Sequence, residues 1–246
     1  MFLNKVHKII VLGCGGTGSI LIPQLCRYLY SLNFIGEIIF VDGDSYSNDN
    51  RARQSFLPKF IGTNKAEYQA TYVSKMFPEM APYINFIPEY LTKEKIDSLI
   101  IDGTIIINCV DNKAARKYVE DRCLQLSDVA HICCGNEMVH GQVQINYRRN
   151  GQQITPTIYN RSPKFNDVND DRSVMDCQQL AALPGGGQLI CANMTAATIA
   201  LNFVMQILTK DRLMRENMWV PCGIVSFDCR KNAFLREDIN EYVDEV

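Results

Sequence analysis

The stretch Val6-His7-Lys8-Ile9-Ile10-Val11-Leu12-Gly13-Cys14-Gly15-Gly16-Thr17-Gly18 decides how the chain is read. A short run of β-branched and leucine side chains suits a strand buried on both faces, and the G-x-G-x-x-G that ends it marks a tight turn. Thr17 to Ser31 is expected to continue as a helix. Strand, glycine turn and helix in that order bring bare backbone up to a phosphate, and the helix N-terminus adds unpaired N–H groups and partial positive charge. Gly13, Gly15, Gly16 and Gly18 are therefore candidate phosphate contacts, and Asp42, at the end of a strand expected over Glu37 to Val41, is placed to accept hydrogen bonds from ribose hydroxyls. Alone, these features say nucleotide: a dinucleotide cofactor is the default, and a plain tight turn with a solvated Asp is the bland alternative.

Outward from this motif, strands expected at Tyr83 to Pro88, Thr104 to Val110 and Ala130 to Cys134 alternate with helices at Asn64 to Met76, Lys93 to Ile100 and Asn112 to Gln125. The repeated βαβα order predicts an α/β fold, a Rossmann-like doubly wound sheet whose N-terminal half is parallel. Pro23 falls inside the first helix, where its ring costs about 3 kcal/mol unless the helix kinks. From His140 to Arg149 the pattern alternates, with Val143, Ile145 and Tyr147 on one face, so the C-terminal half is mixed or antiparallel. Residues 150–187 are rich in Asn, Asp, Gln, Ser, Pro and Gly, and a loop that long inside one domain is either functional or disordered. A helix, a strand over Gly223 to Cys229 and an acidic tail with Glu237, Asp238, Glu241, Asp244 and Glu245 complete a single domain over 1–246.

Composition removes other classes. With 25 basic and 27 acidic residues the net charge is −2, so no single-signed field draws the chain to nucleic acid or an anionic membrane. The apolar segment LICANMTAATIALNFVMQIL (189–208) is long enough to invite a membrane span, but Thr195, Thr198, Asn202 and Gln206 form one polar stripe, which suits a core helix. The run Ile9 to Leu12 is too short for a signal peptide's apolar region. Ten cysteines in 246 residues fall below the ~8–10% of disulfide scaffolds, and Cys133 and Cys134 are adjacent, so the thiols read as reduced and the chain as cytoplasmic.

The residues just after Asp42 are not those a dehydrogenase needs. VDGDSYSNDNRARQSFLPKFIGTNKA places Asn50, Arg51, Arg53, Gln54 and Lys65 near the carboxyl ends of the first two strands. Fixed cations there suit a triphosphate under attack, because Arg offers a planar fork and Lys a mobile point charge to a leaving pyrophosphate. A solvated basic loop is the plainer alternative, most of all for Arg51. In Asn108-Cys109-Val110-Asp111-Asn112, Asp111 stands either as an N-cap or as a Mg²⁺ ligand beside substrate phosphates.

GCGGTG, VDGD, N-R-A-R-Q, G-T-N-K and NCVDN stand in the order and near the spacing of the ThiF/MoeB/ubiquitin-activating-enzyme superfamily, which the chain resembles from about Val6 to Thr209. Within it, the chain is similar in flavour to the ThiF-related proteins of PRTRC mobile-element cassettes. The resemblance implies ATP-dependent adenylation of the C-terminal glycine carboxylate of a small ubiquitin-like β-grasp protein by a homodimer. Residues 1–135 would be the nucleotide-binding half, and 136–246 the partner-binding half with a crossover loop at about 150–187. Gly13, Gly15, Gly16 and Gly18 would contact the nucleotide, Asp42 the ribose, with Asp44 nearby. Asn50, Arg53, Gln54 and Lys65 would hold the phosphates, Arg53 and Lys65 would stabilise the transition state, Asp111 would bind Mg²⁺, and Asn112 would add a second contact.

Two departures stand out. No C-x-x-C occurs, so the structural zinc of many relatives is not expected, and with five residues before the first strand neither is the arginine-bearing N-terminal helix by which some relatives reach a neighbouring site. Cys177, in the crossover region, is a candidate thioester nucleophile or a structural thiol, and the adjacent Asp176 should raise its pKa. Cys191 is expected in the core, and His131 as a satisfied core histidine. Competing with adenylation are an NAD-dependent oxidoreductase, which leaves Arg53, Gln54, Lys65 and Asp111 without a task, and a non-catalytic nucleotide-binding scaffold or half of a heterodimer.

Overall fold

The structure, a computed structural model, describes residues 6–161, 190–213 and 223–237. Strands β1 (Lys8–Leu12), β2 (Glu37–Val41), β3 (Ile84–Ile87), β4 (Thr104–Asn108) and β5 (Val129–Asn136) lie parallel in the order β3-β2-β1-β4-β5. Helices α1 (Gly16–Ser31), α2 (Lys65–Met76), α3 (Lys93–Leu99) and α4 (Lys113–Cys123) connect them. The unbroken apolar runs of the central strands result from burial on both faces. Ile9, Val11, Ile38, Phe40, Ile105 and Ile107 pack toward α1, α2 and the long C-terminal helix. Ile10, Leu12, Ile39, Val41 and Ile106 pack toward α3 and α4 on the other side.

The pairing changes sense at β6 (His140–Arg149), which is antiparallel to β5 and to β8 (Ile224–Asp228). Val143, Ile145 and Tyr147 are buried beneath α6 (Ile190–Leu213), while Gln142, Gln144 and Asn146 alternate to the opposite face. This is the mixed doubly wound sheet the alternation predicts. Three elements go beyond that reading. The short β7 (Gln152–Gln153) pairs β6, the single turn α5 (Ile158–Arg161) comes next, and β9 (Ala233–Glu237) pairs β8 antiparallel after a turn in which Asn232 has φ 49°. Glu237, assigned to an acidic tail, therefore ends an edge strand. The other acidic tail positions, Cys177 and most of the crossover segment lie outside the described residues.

Helix α6 is the one helix among the described residues that is long and apolar enough to cross a membrane, over Ile190–Thr209. Ala192, Ala196, Ala200, Phe203, Val204 and Ile207 are buried against the sheet and α1, whereas Thr198 and Asn202 of the polar stripe are exposed. Cys191 corrects the sequence reading: it is exposed, because the inward face of α6 runs through 192, 193 and 196 and leaves 190, 191 and 194 outside.

Candidate functional site

The carboxyl ends of β1, β2 and β4 meet at the glycine loop. Gly13 has φ +91°, a conformation that side-chain-bearing residues rarely adopt. Gly18 is tighter still, since a Cβ there would stand 2.0 Å from the Gly13 carbonyl oxygen. The first turn of α1 thus folds directly onto the loop. Its N-cap, Gly15, supplies no side-chain hydrogen bond, so the first N–H groups of the helix are left for an anion. From α6, Asn193 packs beneath this turn, accepting from Thr17 Oγ1 at 3.3 Å and from Asn136 Nδ2 at 2.7 Å. Its own Nδ2 is buried without a hydrogen-bond partner.

Asp42, at the end of β2, is drawn onto the loop. Its Oδ2 accepts the Cys14 N–H at 2.7 Å and its Oδ1 the Asp44 N–H at 2.8 Å. Burial raises its pKa above the ordinary carboxylate value, with the Lys65 charge and these two N–H groups pulling the other way. Asn64 accounts for the neighbouring G-T-N-K. Its Oδ1 caps α2 by accepting from the N–H groups of Ala66 and Glu67, and its Nδ2 donates to the carbonyls of Asp42 and Asp44. That cap sets Lys65, only 3% exposed, as the first residue of α2, where its Nζ meets Asp44 Oδ2 at 2.8 Å.

Arg53 and Gln54 are also buried, and Arg53 Nε and Gln54 Oε1 have no hydrogen-bond partner. Buried polar atoms are ordinarily paired, so these two are exceptions, as are Asn193 Nδ2 under the first turn of α1 and Gln69 Oε1 and Gln206 Oε1 elsewhere. Gln54 reaches the loop, with its Nε2 3.6 Å from where a Cβ on Gly15 would stand. Asn50 is buried and its Oδ1 accepts the Ser47 N–H at 3.0 Å, while Arg51 points into solvent.

At the end of β4 the capping alternative for Asp111 falls away. Asn112 caps α4, its Oδ1 accepting the Ala115 N–H at 3.0 Å, and Asp111 is exposed at the sheet edge. Among the described residues no cluster of three or more His, Cys, Asp or Glu side chains is built to hold a metal. A lone carboxylate beside a phosphate site is what Mg²⁺ uses when the substrate supplies the other oxygens. Behind this strand, His131 is fully buried, with Nδ1 2.8 Å from Glu120 Oε2 and Nε2 3.3 Å from Asn108 Nδ2. Glu120 Oε1 also accepts from Asn146 Nδ2 and from the Ile158 N–H. Burial alone would lower the His131 pKa, but hydrogen bonding to Cys133 and the Glu120 carboxylate pushes it up to about 9. Cys14 is buried with Sγ 3.8 Å from the Val41 carbonyl oxygen, and burial pushes its thiol pKa up.

Sequence reasoning missed Asn193, Asn136 and Tyr90. Tyr90, between β3 and α3, donates its hydroxyl hydrogen to Asp44. Its position just past a parallel strand's carboxyl end was the signal available.

A family model described as ThiF family matches residues 3–232. Among curated proteins, the adenylyltransferase and sulfurtransferase uba4 of Aspergillus fumigatus is 28% identical over 125 residues, 50% of this chain and 24% of that protein. The ubiquitin-activating enzyme E1 1 of Candida albicans is 30% identical over 124 residues, 48% of this chain and 12% of that one. The chain therefore spans about a quarter or less of the length of these relatives. Among solved structures, the microcin C7 biosynthetic enzyme MccB in complex with N-formylated MccA superposes with a TM-score of 0.70 at 18% identity, covering 97% of this chain and 67% of that one. MccB of E. coli with ATP superposes at 0.69, covering 97% and 66%. At such identity the structural likeness speaks for the fold. The family model, which spans nearly the whole chain and both halves of the sheet, establishes that this protein is a member of the ThiF family.

Proposed function

We propose that this protein adenylates the C-terminal carboxylate of a small protein or peptide at the expense of ATP. The observation that carries the reading is the pair of buried, unpartnered atoms Arg53 Nε and Gln54 Oε1, together with buried Lys65, around a glycine loop whose helix N-terminus is uncapped by any side chain. A hydride-transfer enzyme has no use for that set. A triphosphate has, because negative charge grows on the leaving pyrophosphate. The named activities of the fungal relative and the ATP-bound and MccA-bound neighbours support the same class of chemistry.

In this reading the first N–H groups of α1 and the loop from Gly13 to Gly18 hold phosphate oxygens, and Asp42 takes the ribose. A substrate carboxylate oxygen attacks the α-phosphorus and forms the acyl–adenylate bond. The bond from the α-phosphorus to its bridging oxygen breaks, and its electron pair leaves with pyrophosphate. Lys65, Arg53, Gln54 and Asn50 hold the phosphates, and Lys65 and Arg53 balance the charge that develops. Asp111, with Asn112 beside it, would hold a Mg²⁺ ion, which would supply charge screening for the phosphates. The finer proposals are a ubiquitin-like β-grasp partner ending in glycine, a cytoplasmic homodimer akin to the PRTRC-cassette proteins, and transfer of the acyl group to the Cys177 thiolate with release of AMP.

ATP–pyrophosphate exchange with a candidate β-grasp protein ending in glycine tests the reading. Exchange that disappears in Arg53→Ala and in Asp111→Ala is expected. Absence of exchange with retained ATP binding would favour a scaffold, and NAD binding without ATP binding would overturn the nucleotide assignment. Exchange that persists in Cys177→Ala removes the thioester step and leaves adenylation intact.

A further inference from the structure

Tyr90 is 71% exposed at the carboxyl end of the sheet, yet it is held in place. Its ring lies against Gly43: a Cβ on Gly43 would stand 2.6 to 2.8 Å from the ring atoms Cδ2, Cγ and Cδ1. Any side chain at position 43 would displace the ring, so the glycine of VDGD is the seat that lets it lie flat. The hydroxyl donates to Asp44 Oδ1. That hydrogen bond first, then burial and the charges of Asp44, Asp42 and Asp111, push the phenol pKa up to about 12, so the hydroxyl remains a donor throughout the neutral range. One side of the ring is fixed, and most of the rest faces solvent.

The position has a direction. Asp42 closes β2, with β1 and the glycine loop on one side and β3, which leads to Tyr90, on the other. A nucleotide whose phosphates meet the glycine loop and whose ribose meets Asp42 extends its base away from the loop, toward the β3 side. Of the exposed aromatic side chains on that side, Tyr83 precedes β3 and Phe86 lies within it, whereas Tyr90 stands past its carboxyl end, where the nucleotide would lie.

We propose that Tyr90 is the stacking platform for the purine base of the bound nucleotide, with Gly43 as its seat and Asp44 as its tether. This deepens the nucleotide assignment above and rests on it. A base stacked on an aromatic ring gains affinity whatever the phosphates do, which separates this role from an electrostatic one exerted through Asp44 and Lys65.

Calorimetric titration of AMP, ATP and inorganic tripolyphosphate into wild type, Tyr90→Ala and Tyr90→Phe tests the assignment. Exposure of the side chain makes the variants foldable, which thermal melts would verify. Tyr90→Ala is expected to bind AMP and ATP roughly tenfold more weakly with tripolyphosphate unchanged, and Tyr90→Phe to stay within about threefold of wild type for AMP. An alanine variant that binds AMP like wild type overturns the proposal, and so does an equal loss for tripolyphosphate, which would assign the effect to Asp44 and Lys65. If wild type binds none of the three ligands, the nucleotide reading itself fails. If wild type binds and Tyr90→Ala is indifferent, only the role of Tyr90 fails.

Discussion

The Lys65 ammonium lies 2.8 Å from Asp44 Oδ2, with the lysine side chain 4% exposed and the aspartate 29%. A buried cation is thus neutralised at one edge, and in the proposed reading the phosphates of ATP compete with a carboxylate for it. Removing Asp44 leaves the charge unpaired in a dry site, although solvent at the aspartate screens part of the loss. Asp44→Asn is expected to lower unfolding stability by about 1–3 kcal/mol. Added ATP should restore more stability to this variant than to wild type, because its phosphates supply the missing anion. Urea denaturation with and without ATP measures both, and equal stabilisation of the two proteins would show that Lys65 does not face the phosphates.

Arg53 makes the complementary case. Its Nε is buried without a hydrogen-bond partner, and in the proposed reading its guanidinium serves the phosphates rather than the fold. Arg53→Gln is expected to reduce pyrophosphate exchange on the order of 100-fold, equivalent to about 2.7 kcal/mol of transition-state stabilisation. Its melting temperature should stay near that of wild type. A large loss of stability with little loss of exchange would recast Arg53 as structural.

Glycine positions in the loop separate folding from ligand contact. Gly18→Ala drives a Cβ to 2.0 Å from a backbone oxygen, so it should destabilise by at least about 3 kcal/mol and abolish nucleotide binding. Gly15→Ala meets only Gln54, at 3.6 Å from its Nε2, and should change stability by no more than about 1 kcal/mol. Its effect should appear in ATP affinity, measured on protein shown to be folded by circular dichroism.

The Glu120–His131 pair sets a pH dependence. The folded pKa of His131, about 9, lies above its ordinary value of 6.5, so the folded state holds a proton that the unfolded chain gives up between those values. The stability it contributes, on the order of a few kcal/mol, is complete below about pH 6.5 and lost as pH rises through about 9. Cys133, whose thiol pKa is lowered against its burial by Arg116 and His131, contributes with the opposite sign. The decisive quantity is therefore the stability difference between wild type and Glu120→Gln. It should be largest at pH 6.5 and shrink toward pH 9, and a difference independent of pH would mean that His131 is neutral in the folded protein.

How much of the fold and site is legible before folding depends on the range of the interactions. The glycine loop, the Asp42 strand end and the alternation of His140 to Arg149 are written in local sterics and periodicity, and they emerge at their expected places. The capping at β4 was ambiguous between neighbours, since Asp and Asn both serve at that position, and the chain uses Asn112. Strand β9 was hidden because its sequence, Ala233 to Glu237, merges into an acidic run, and Asn232 is the only local mark of the turn. Cys191 was placed in the core from its apolar company, but the rotational phase of α6 puts it outside.

By itself the sequence determined a parallel sheet that turns antiparallel after residue 135, and a glycine turn with an acidic residue one strand away, because these arise from backbone sterics and from which faces a strand must bury. Only the tertiary structure decided that Arg53 and Gln54 are buried without partners for Nε and Oε1, that Asn193 of the last helix underlies the first turn of α1, and that Tyr90 lies over Gly43 with its hydroxyl on Asp44. Each of those joins residues from separate elements, and their contact depends on strand order and helix phase, which local propensity does not encode.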